Sequence, residues 1–282
     1  SLLEIRGNKD NSHKVLQRIR LLYKGIEGLK ENDPLRKALD DLLIRPDLNK
    51  GHPQFILRDH VVDEIDRIHD DELDRYLRYR YKYDMYPVNK IISEFPPLVQ
   101  IEPTSICNYR CVFCYQIDPR LTKKNNNHMG VMDIQLFKSL VDELEGNVEA
   151  ISLASRGEPT INKNLPEMLD YLSGKFLAIK INTNASLLDE TMSRAILDAD
   201  IQTLVFSADA AAEPLYSKLR VGGSLKKVTK NIERFNELKI KHYSDSRLIT
   251  RVSGVYYKDE QKIEDMDVYW KDLVDQVAFV DY

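Results

Sequence analysis

The sequence lacks any apolar run near the roughly 18 residues a membrane-spanning helix needs, which argues against a transmembrane protein. It also lacks a charge excess. Its 41 basic and 45 acidic residues leave a formal net charge of −4, so no global field draws it to nucleic acid or acidic lipid. An apolar leader is missing too, since Glu4, Arg6, Lys9 and Asp10 stand at the start; the expected setting is cytoplasmic. No internal repeat is visible, and the one low-complexity tract is Asn125-Asn126-Asn127 in an expected loop. Cysteine is scarce, three in 282 residues. An odd, small number in such a chain excludes a disulfide framework. The chain opens on Ser1 rather than Met and closes inside the alternation Val277-Ala278-Phe279-Val280-Asp281-Tyr282, as a fragment of a longer protein would.

What is present falls into two textures. Residues 1–95 read as a helical region. Asn11 or Ser12 would cap a helix carrying Val15, Leu16, Ile19, Leu22, Ile26 and Leu29 at helical spacing. Asp33-Pro34 marks a second start, with Leu35, Leu39, Leu42 and Leu43 on one face. After a break at Gly51–Pro53, Val61, Val62, Ile65 and Ile68 form a third pattern that runs into Arg75-Tyr76-Leu77-Arg78-Tyr79-Arg80-Tyr81-Lys82-Tyr83. That interleaving of bases and aromatics could grip a nucleotide, an RNA strand or a phosphorylated sugar. The plainer expectation is a helix whose tyrosines pack inward while its cations stay solvated.

From Pro96 to Tyr282, strand and helix patterns alternate. Strands are expected at Leu98–Glu102, Val148–Leu153, Ala178–Asn182, Thr203–Ser207, Leu248–Tyr256 and Asp275–Val280, with helical patterns at Met132–Leu144, Asn164–Leu172, Asp189–Leu197 and Leu225–Leu238. Strict alternation implies βα units on a parallel sheet, and six such strands curl into part of a barrel. The expected class is therefore α/β, a partial (β/α)6 barrel preceded by a helical region. Function in such folds sits at the carboxyl ends of the strands.

All three cysteines fall there, in Cys107-Asn108-Tyr109-Arg110-Cys111-Val112-Phe113-Cys114, directly after the first strand. Thiolates are soft donors that suit an iron–sulfur cluster or zinc. Three can hold three irons of a four-iron cube and leave the fourth open; with His128 they could instead form a Cys3His zinc site.

The CxxxCxxC spacing, with Phe113 before the last cysteine, resembles the signature of the radical SAM superfamily. Further elements resemble it in order. Ser155-Arg156-Gly157-Glu158-Pro159 is similar to GGEP, Asn182-Thr183-Asn184-Ala185 to TNG and Ser207-Ala208-Asp209 to SxDG, while Leu219-Arg220-Val221-Gly222-Gly223 is similar to the arginine turn that follows. The core resembles the branch that often carries a C-terminal auxiliary-cluster (SPASM or twitch) domain.

The resemblance implies a TIM-like partial barrel holding a [4Fe-4S] cluster on Cys107, Cys111 and Cys114, with S-adenosyl-L-methionine on its open iron. It implies that Phe113 packs near the adenine, that the Tyr115 backbone meets its polar edge, and that Val255 presses on it. Gly157 and Glu158 would face the cofactor's ammonium, Asn184 would lie in the cofactor site, and Ser207 and Arg220 would take the carboxylate and ribose region. Reductive cleavage would yield a 5′-deoxyadenosyl radical that abstracts hydrogen from substrate, with a flavodoxin- or ferredoxin-like electron donor. The substrate would be a peptide or protein side chain, or alternatively a sugar or nucleotide-linked metabolite. With three cysteines at the cluster, this segment offers no further thiol as hydrogen donor.

Plainer roles stand beside these. Glu158 could be a solvated loop residue, Ser207 a helix cap and Arg220 a surface ion pair; Asn184 and Asp209 could be turn residues, and Phe113 and Val255 core. Arg156, Ala185 and Ala210 replace glycines of the family motifs, which puts their loop shapes in question.

Overall fold

The computed structural model describes residues 11–26, 28–44, 53–257 and 259–281. Of the expected break at Gly51–Pro53 only Pro53 lies within them, and Tyr282 lies outside.

Among the described residues the N-terminal region carries the helices α1 (Ser12–Gly25), α2 (Pro34–Leu43), α3 (Asp59–Arg67) and α4 (Leu73–Met85). Helix α2 starts as its sequence dictates. Asp33 accepts from the Leu35 N–H (2.8 Å) and Pro34 fills the first turn, where its missing N–H costs nothing. Asn11 does stand at the N-cap of α1 but makes no capping bond; its amide donates to Asp66 on α3 (2.8 Å). The apolar faces, Val15, Ile19, Leu35, Leu39, Val61, Ile65, Leu73 and Leu77, are almost fully buried. Each such side chain contributes about 1.5–3 kcal/mol. The same cluster reaches Leu98, Ala150, Leu177 and Ala178, so the helices pack on the amino-terminal strand ends.

The barrel follows in order: β1 (Leu98–Ile101), β2 (Arg110–Cys111), α5 (Pro119–Thr122), α6 (Ile134–Leu144), β3 (Ala150–Leu153), α7 (Leu165–Leu172), β4 (Ala178–Thr183), α8 (Glu190–Asp198), β5 (Thr203–Ser207), α9 (Leu215–Leu219), β6 (Arg220–Val221), α10 (Leu225–His242), β7 (Ile249–Tyr256), α11 (Ile263–Trp270) and β8 (Gln276–Asp281). The main sheet runs β1-β3-β4-β5-β7-β8 and every neighbouring pair is parallel. All six expected strands are present, their ends moved by no more than two residues.

Alternation along β4 shows how the sheet is lined. Ile179 and Ile181 are buried in the core under the helices, while Lys180 and Asn182 between them take the other, half-buried face. Unanticipated are α5, α9, α11 and a two-stranded antiparallel ribbon in which β2 pairs with β6, Cys111 opposite Arg220. Helix α10 also runs four residues past its expected end.

The tyrosine-rich segment is α4. Tyr76, Tyr79 and Tyr81 are buried, as the packing expectation has it, whereas Tyr83 at the end of the segment is exposed. Arg75 and Arg78 form ion pairs with Glu149 (2.6 Å) and Asp33. Arg80 departs from that expectation: it is buried, paired with Asp84 (3.1 Å) and set over the rings of Tyr79 and Tyr83.

Candidate active site

The loop after β1 carries all three cysteines to the carboxyl end of the sheet. Their arrangement begins with backbone. The N–H of Cys114 bonds the carbonyl of Cys111 (2.9 Å), closing a turn, and the N–H of Tyr109 points to Cys107 Sγ (3.4 Å). Cys111 is buried; Cys107 and Cys114 are half-buried, and none is in a disulfide. Burial raises the Cys107 thiol above its usual range and pushes Cys111 up to about 11, with the Arg220 cation pulling it back.

Gly157 holds this loop against the next one. A Cβ there would lie 2.0 Å from the Thr104 carbonyl oxygen and 2.7 Å from that of Ile106, so only a residue without a side chain permits the approach. The following N–H, of Glu158, donates to the same Ile106 carbonyl (2.9 Å). The residue before it, Arg156, turns its side chain outward into a two-pronged pair with Glu102 (2.9 and 3.1 Å), so the loop needs no glycine there.

Glu158 is buried at 2% exposure, and among the described residues it has no cationic partner. One carboxylate oxygen accepts from the Thr160 hydroxyl (2.6 Å), the Thr160 N–H (3.2 Å) and the Thr183 hydroxyl (2.6 Å); the other accepts only from the Asn184 N–H (2.6 Å). Burial raises its pKa, and these donors, the Asn184 N–H first, oppose the rise. A buried carboxylate with donors but no cation is costly, and its second oxygen keeps an open acceptor position. That is the electrostatic complement of an ammonium group.

Asn184 serves the turn itself. Its carbonyl oxygen accepts from the Ser186 N–H (2.9 Å) and its amide donates to Asn108 in the cysteine loop (2.9 Å), which in turn donates to the Ser186 hydroxyl (2.8 Å). Ala185 takes φ 57°, so the left-handed turn of the family's glycine is kept at a strain of about 1–2 kcal/mol. Ala210, by contrast, is buried with an ordinary φ.

On the opposite side stands Arg220, brought beside Cys111 by the β2–β6 ribbon, with one guanidinium nitrogen 3.9 Å from its sulfur. Asp209 pairs with Arg220, both almost fully buried. Burial works against the Arg220 charge, and Asp209 more than offsets it, so the pKa is raised. The other Asp209 oxygen accepts from the Val255 N–H (2.7 Å), which fixes β7 to the loop after β5. Phe113 is half-buried between the Arg220 guanidinium (5.9 Å from the ring centre) and the Tyr257 ring (5.8 Å). Ser207 ends β5, half-buried, in register with Ser253. Tyr115 opens the 3-10 turn Tyr115–Ile117, and burial pushes its hydroxyl up to about 12.

Two groups therefore form around the cysteines: Gly157, Glu158 and Asn184 on one side, Phe113, Arg220 and Val255 on the other. Three residues not singled out as site residues hold them. Asn108 ties the cysteine loop to the turn after β4. Buried Gln116 donates to the carbonyls of Ser105 (2.7 Å) and Arg156 (2.9 Å). Asp209, for which a turn role is the plainer expectation, pairs with Arg220. No local pattern marks the first two; Asp209 is marked only by its place in SxDG.

The donor set suits an open-sited cluster. His128 is exposed, and among the described residues no three of His, Cys, Asp and Glu converge as a single metal ion requires. A four-iron cube instead spreads its thiolates over separate corners, and three soft sulfurs on one loop match that demand.

Comparison with known proteins agrees. The sequence profile of the Radical SAM superfamily matches residues 101–267. Fe-coproporphyrin III synthase of Methanosarcina barkeri is 30% identical over 117 residues, 42% of this chain and 28% of that protein. A probable GTP 3',8-cyclase of Methanococcus maripaludis is 29% identical over 137 residues, 48% of this chain and 44% of its own length. The chain thus spans less than half the length of these curated relatives. Among solved structures, Streptococcus suis SuiB bound to precursor peptide SuiA superposes with a TM-score of 0.52 at 20% identity, covering 82% of this chain and 46% of SuiB. A family match over more than half its residues, on a parallel six-stranded α/β barrel with the cysteines at its carboxyl end, places the chain in the radical SAM superfamily, whose members use a [4Fe-4S] cluster and S-adenosylmethionine.

Proposed function

We propose that this chain cleaves S-adenosylmethionine reductively and directs the resulting radical at a hydrogen of a peptide or protein side chain. The observation that carries the reading is Glu158: a buried carboxylate with no cationic partner among the described residues, held against the cysteine loop by its N–H to the Ile106 carbonyl. When bound, the cluster and S-adenosylmethionine supply the electron transfer and the 5′-deoxyadenosyl radical.

The chain's own residues bind, orient and exclude water. Cys107, Cys111 and Cys114 would hold three irons, leaving one for the amino and carboxylate groups of the cofactor. Glu158 would accept an N–H of that amino group through its less occupied oxygen. Arg220, already fixed by Asp209, presents a positive charge beside Cys111 and steadies Phe113, the platform for the adenine. Ser207 and Val255 would close the same side, with Gly157 and Tyr115 setting the backbone around them. The electron would come from a flavodoxin- or ferredoxin-like donor.

The peptide reading draws support from the likeness in fold to SuiB, solved with a precursor peptide. A nucleotide-linked substrate is the second reading, favoured by the relative named as a GTP cyclase. The test is anaerobic reconstitution with iron and sulfide, reduction, and assay for 5′-deoxyadenosine. Its formation, lost in Cys111→Ala, is expected. An intact cofactor despite a full cluster would refute the cleavage. Deuterium passing into 5′-deoxyadenosine from a labelled nucleotide, and from no peptide bound to the chain, would overturn the peptide reading.

A further inference from the structure

At the end of the barrel away from the cysteines, a cavity of about 230 Å³ lies between α3, α4 and the first residues of the strands. Lys180 lines it from β4, three residues before Thr183 of the Glu158 site. At the usual rise per strand residue that is roughly 10 Å away, so the cavity is a separate place.

Its lining is rich in cations: Arg58, Arg67, Arg80, Lys180, Arg247 and Arg251. Most of them are answered. Arg67 pairs with Asp275 (2.9 Å), Arg80 with Asp84 (3.1 Å), Arg247 with Glu72 and Asp200 (2.8 and 2.9 Å), and Arg251 with Glu64 (3.5 Å). Arg58 and Lys180 are not; Arg58 is exposed to solvent, whereas Lys180 is half-buried and among the described residues no carboxylate pairs with it. In addition Arg80 Nε is buried with no hydrogen-bond acceptor. A half-buried ammonium beside two guanidiniums is held there against desolvation and like-charge repulsion. Burial first, and then Arg251, depress the Lys180 pKa, with Glu64 opposing. His60, on the same wall, is pushed to about 4 by burial and gives no charge near neutrality.

We propose that this cavity binds a small oxyanion, a phosphate or carboxylate group, with Lys180 Nζ as its principal contact and Arg80 Nε as a second donor. Phosphate is small enough for the space, and several donors around one anion are what a multi-oxygen group uses and a halide does not. The proposal does not rest on cofactor cleavage, because its site, residues and readout are independent of the cluster.

The test is thermal unfolding of the full chain in sodium phosphate against sodium chloride at equal ionic strength, followed by calorimetric titration. Phosphate at a hundred times its Kd should raise Tm by on the order of 5–10 °C, with chloride giving no such rise. Lys180→Met should abolish the rise; because it removes an unanswered charge from beside two guanidiniums, it should leave Tm without phosphate equal or higher. Cys111→Ala should keep the full response. Inorganic phosphate, a phosphomonoester and succinate run side by side tell free phosphate from a metabolite's ionic group, and a specific response to any one, lost in Lys180→Met, supports the site. Equal responses in chloride, a phosphate response that survives Lys180→Met, or a drop in Tm of Lys180→Met without phosphate would each overturn it.

Discussion

Substituting Gly157 by alanine puts a methyl group where the cysteine loop already stands. The added Cβ would meet the Thr104 oxygen at 2.0 Å and the Ile106 oxygen at 2.7 Å, both backbone atoms just ahead of Cys107. No rotamer change relieves a clash with main chain, so the cysteine loop or the segment carrying Glu158 must retreat by roughly 1.4 Å to reach ordinary contact. Overpacking of this kind costs about 1–3 kcal/mol of stability. The functional cost should be larger, because the retreat separates Glu158 from the cysteines, and a 1 Å misplacement of bound reactants costs on the order of 100-fold in rate. The assay is 5′-deoxyadenosine formation by reconstituted Gly157→Ala at matched iron content, with the Tm recorded alongside. A folded variant should cleave about 100-fold more slowly. A variant with wild-type rate and wild-type cluster content would refute the idea that this close approach positions the site.

Asp209→Asn should destabilise by about 3–5 kcal/mol, because it leaves Arg220 buried without its carboxylate; urea unfolding measures this, and the double variant Asp209→Asn/Arg220→Met should recover part of the loss. Acid should weaken the fold through His60, whose folded pKa lies near 4 against 6.5 when unfolded. The unfolded chain takes up that proton first, so this stability is whole above about pH 6.5 and falls toward pH 4, by on the order of 3 kcal/mol in total; the stability difference between wild type and His60→Gln should shift by about 2.4 kcal/mol between pH 7 and pH 4.5.

The strands were legible because a parallel sheet covered by helices leaves runs of Val, Ile and Leu that polar helix surfaces interrupt. Residues 178–183 and 203–207 show it directly: Ile179, Ile181, Leu204 and Phe206 enter one core. The ribbon of Arg110–Cys111 with Arg220–Val221 was not legible. Two residues per strand leave no period, and the pairing joins positions more than a hundred residues apart. Helix α11 stayed hidden because Glu264, Asp265 and Asp267 break its apolar face, leaving Met266 and Trp270 as its buried anchors.

The site divides by the same rule. Cys107, Cys111, Cys114, Gly157 and Glu158 stand in short local motifs whose chemistry is fixed by residue type, so the sequence points to them directly. Asp209 is different. Its carboxylate is spent on Arg220, eleven positions on, and on the Val255 N–H of another strand, so its role exists only once β5, β6 and β7 are assembled. Lys180 belongs to the same kind. In the sequence it is a polar residue alternating with Ile179 and Ile181, as a solvated strand face would have it; only the packing of α3 and α4 over the strand starts turns that face into a cavity wall. Alternation tells which face a side chain takes, and it cannot tell whether water or protein lies beyond that face. A charge placed there by strand periodicity and enclosed by helices from another part of the chain is therefore the kind of feature that only the assembled fold discloses.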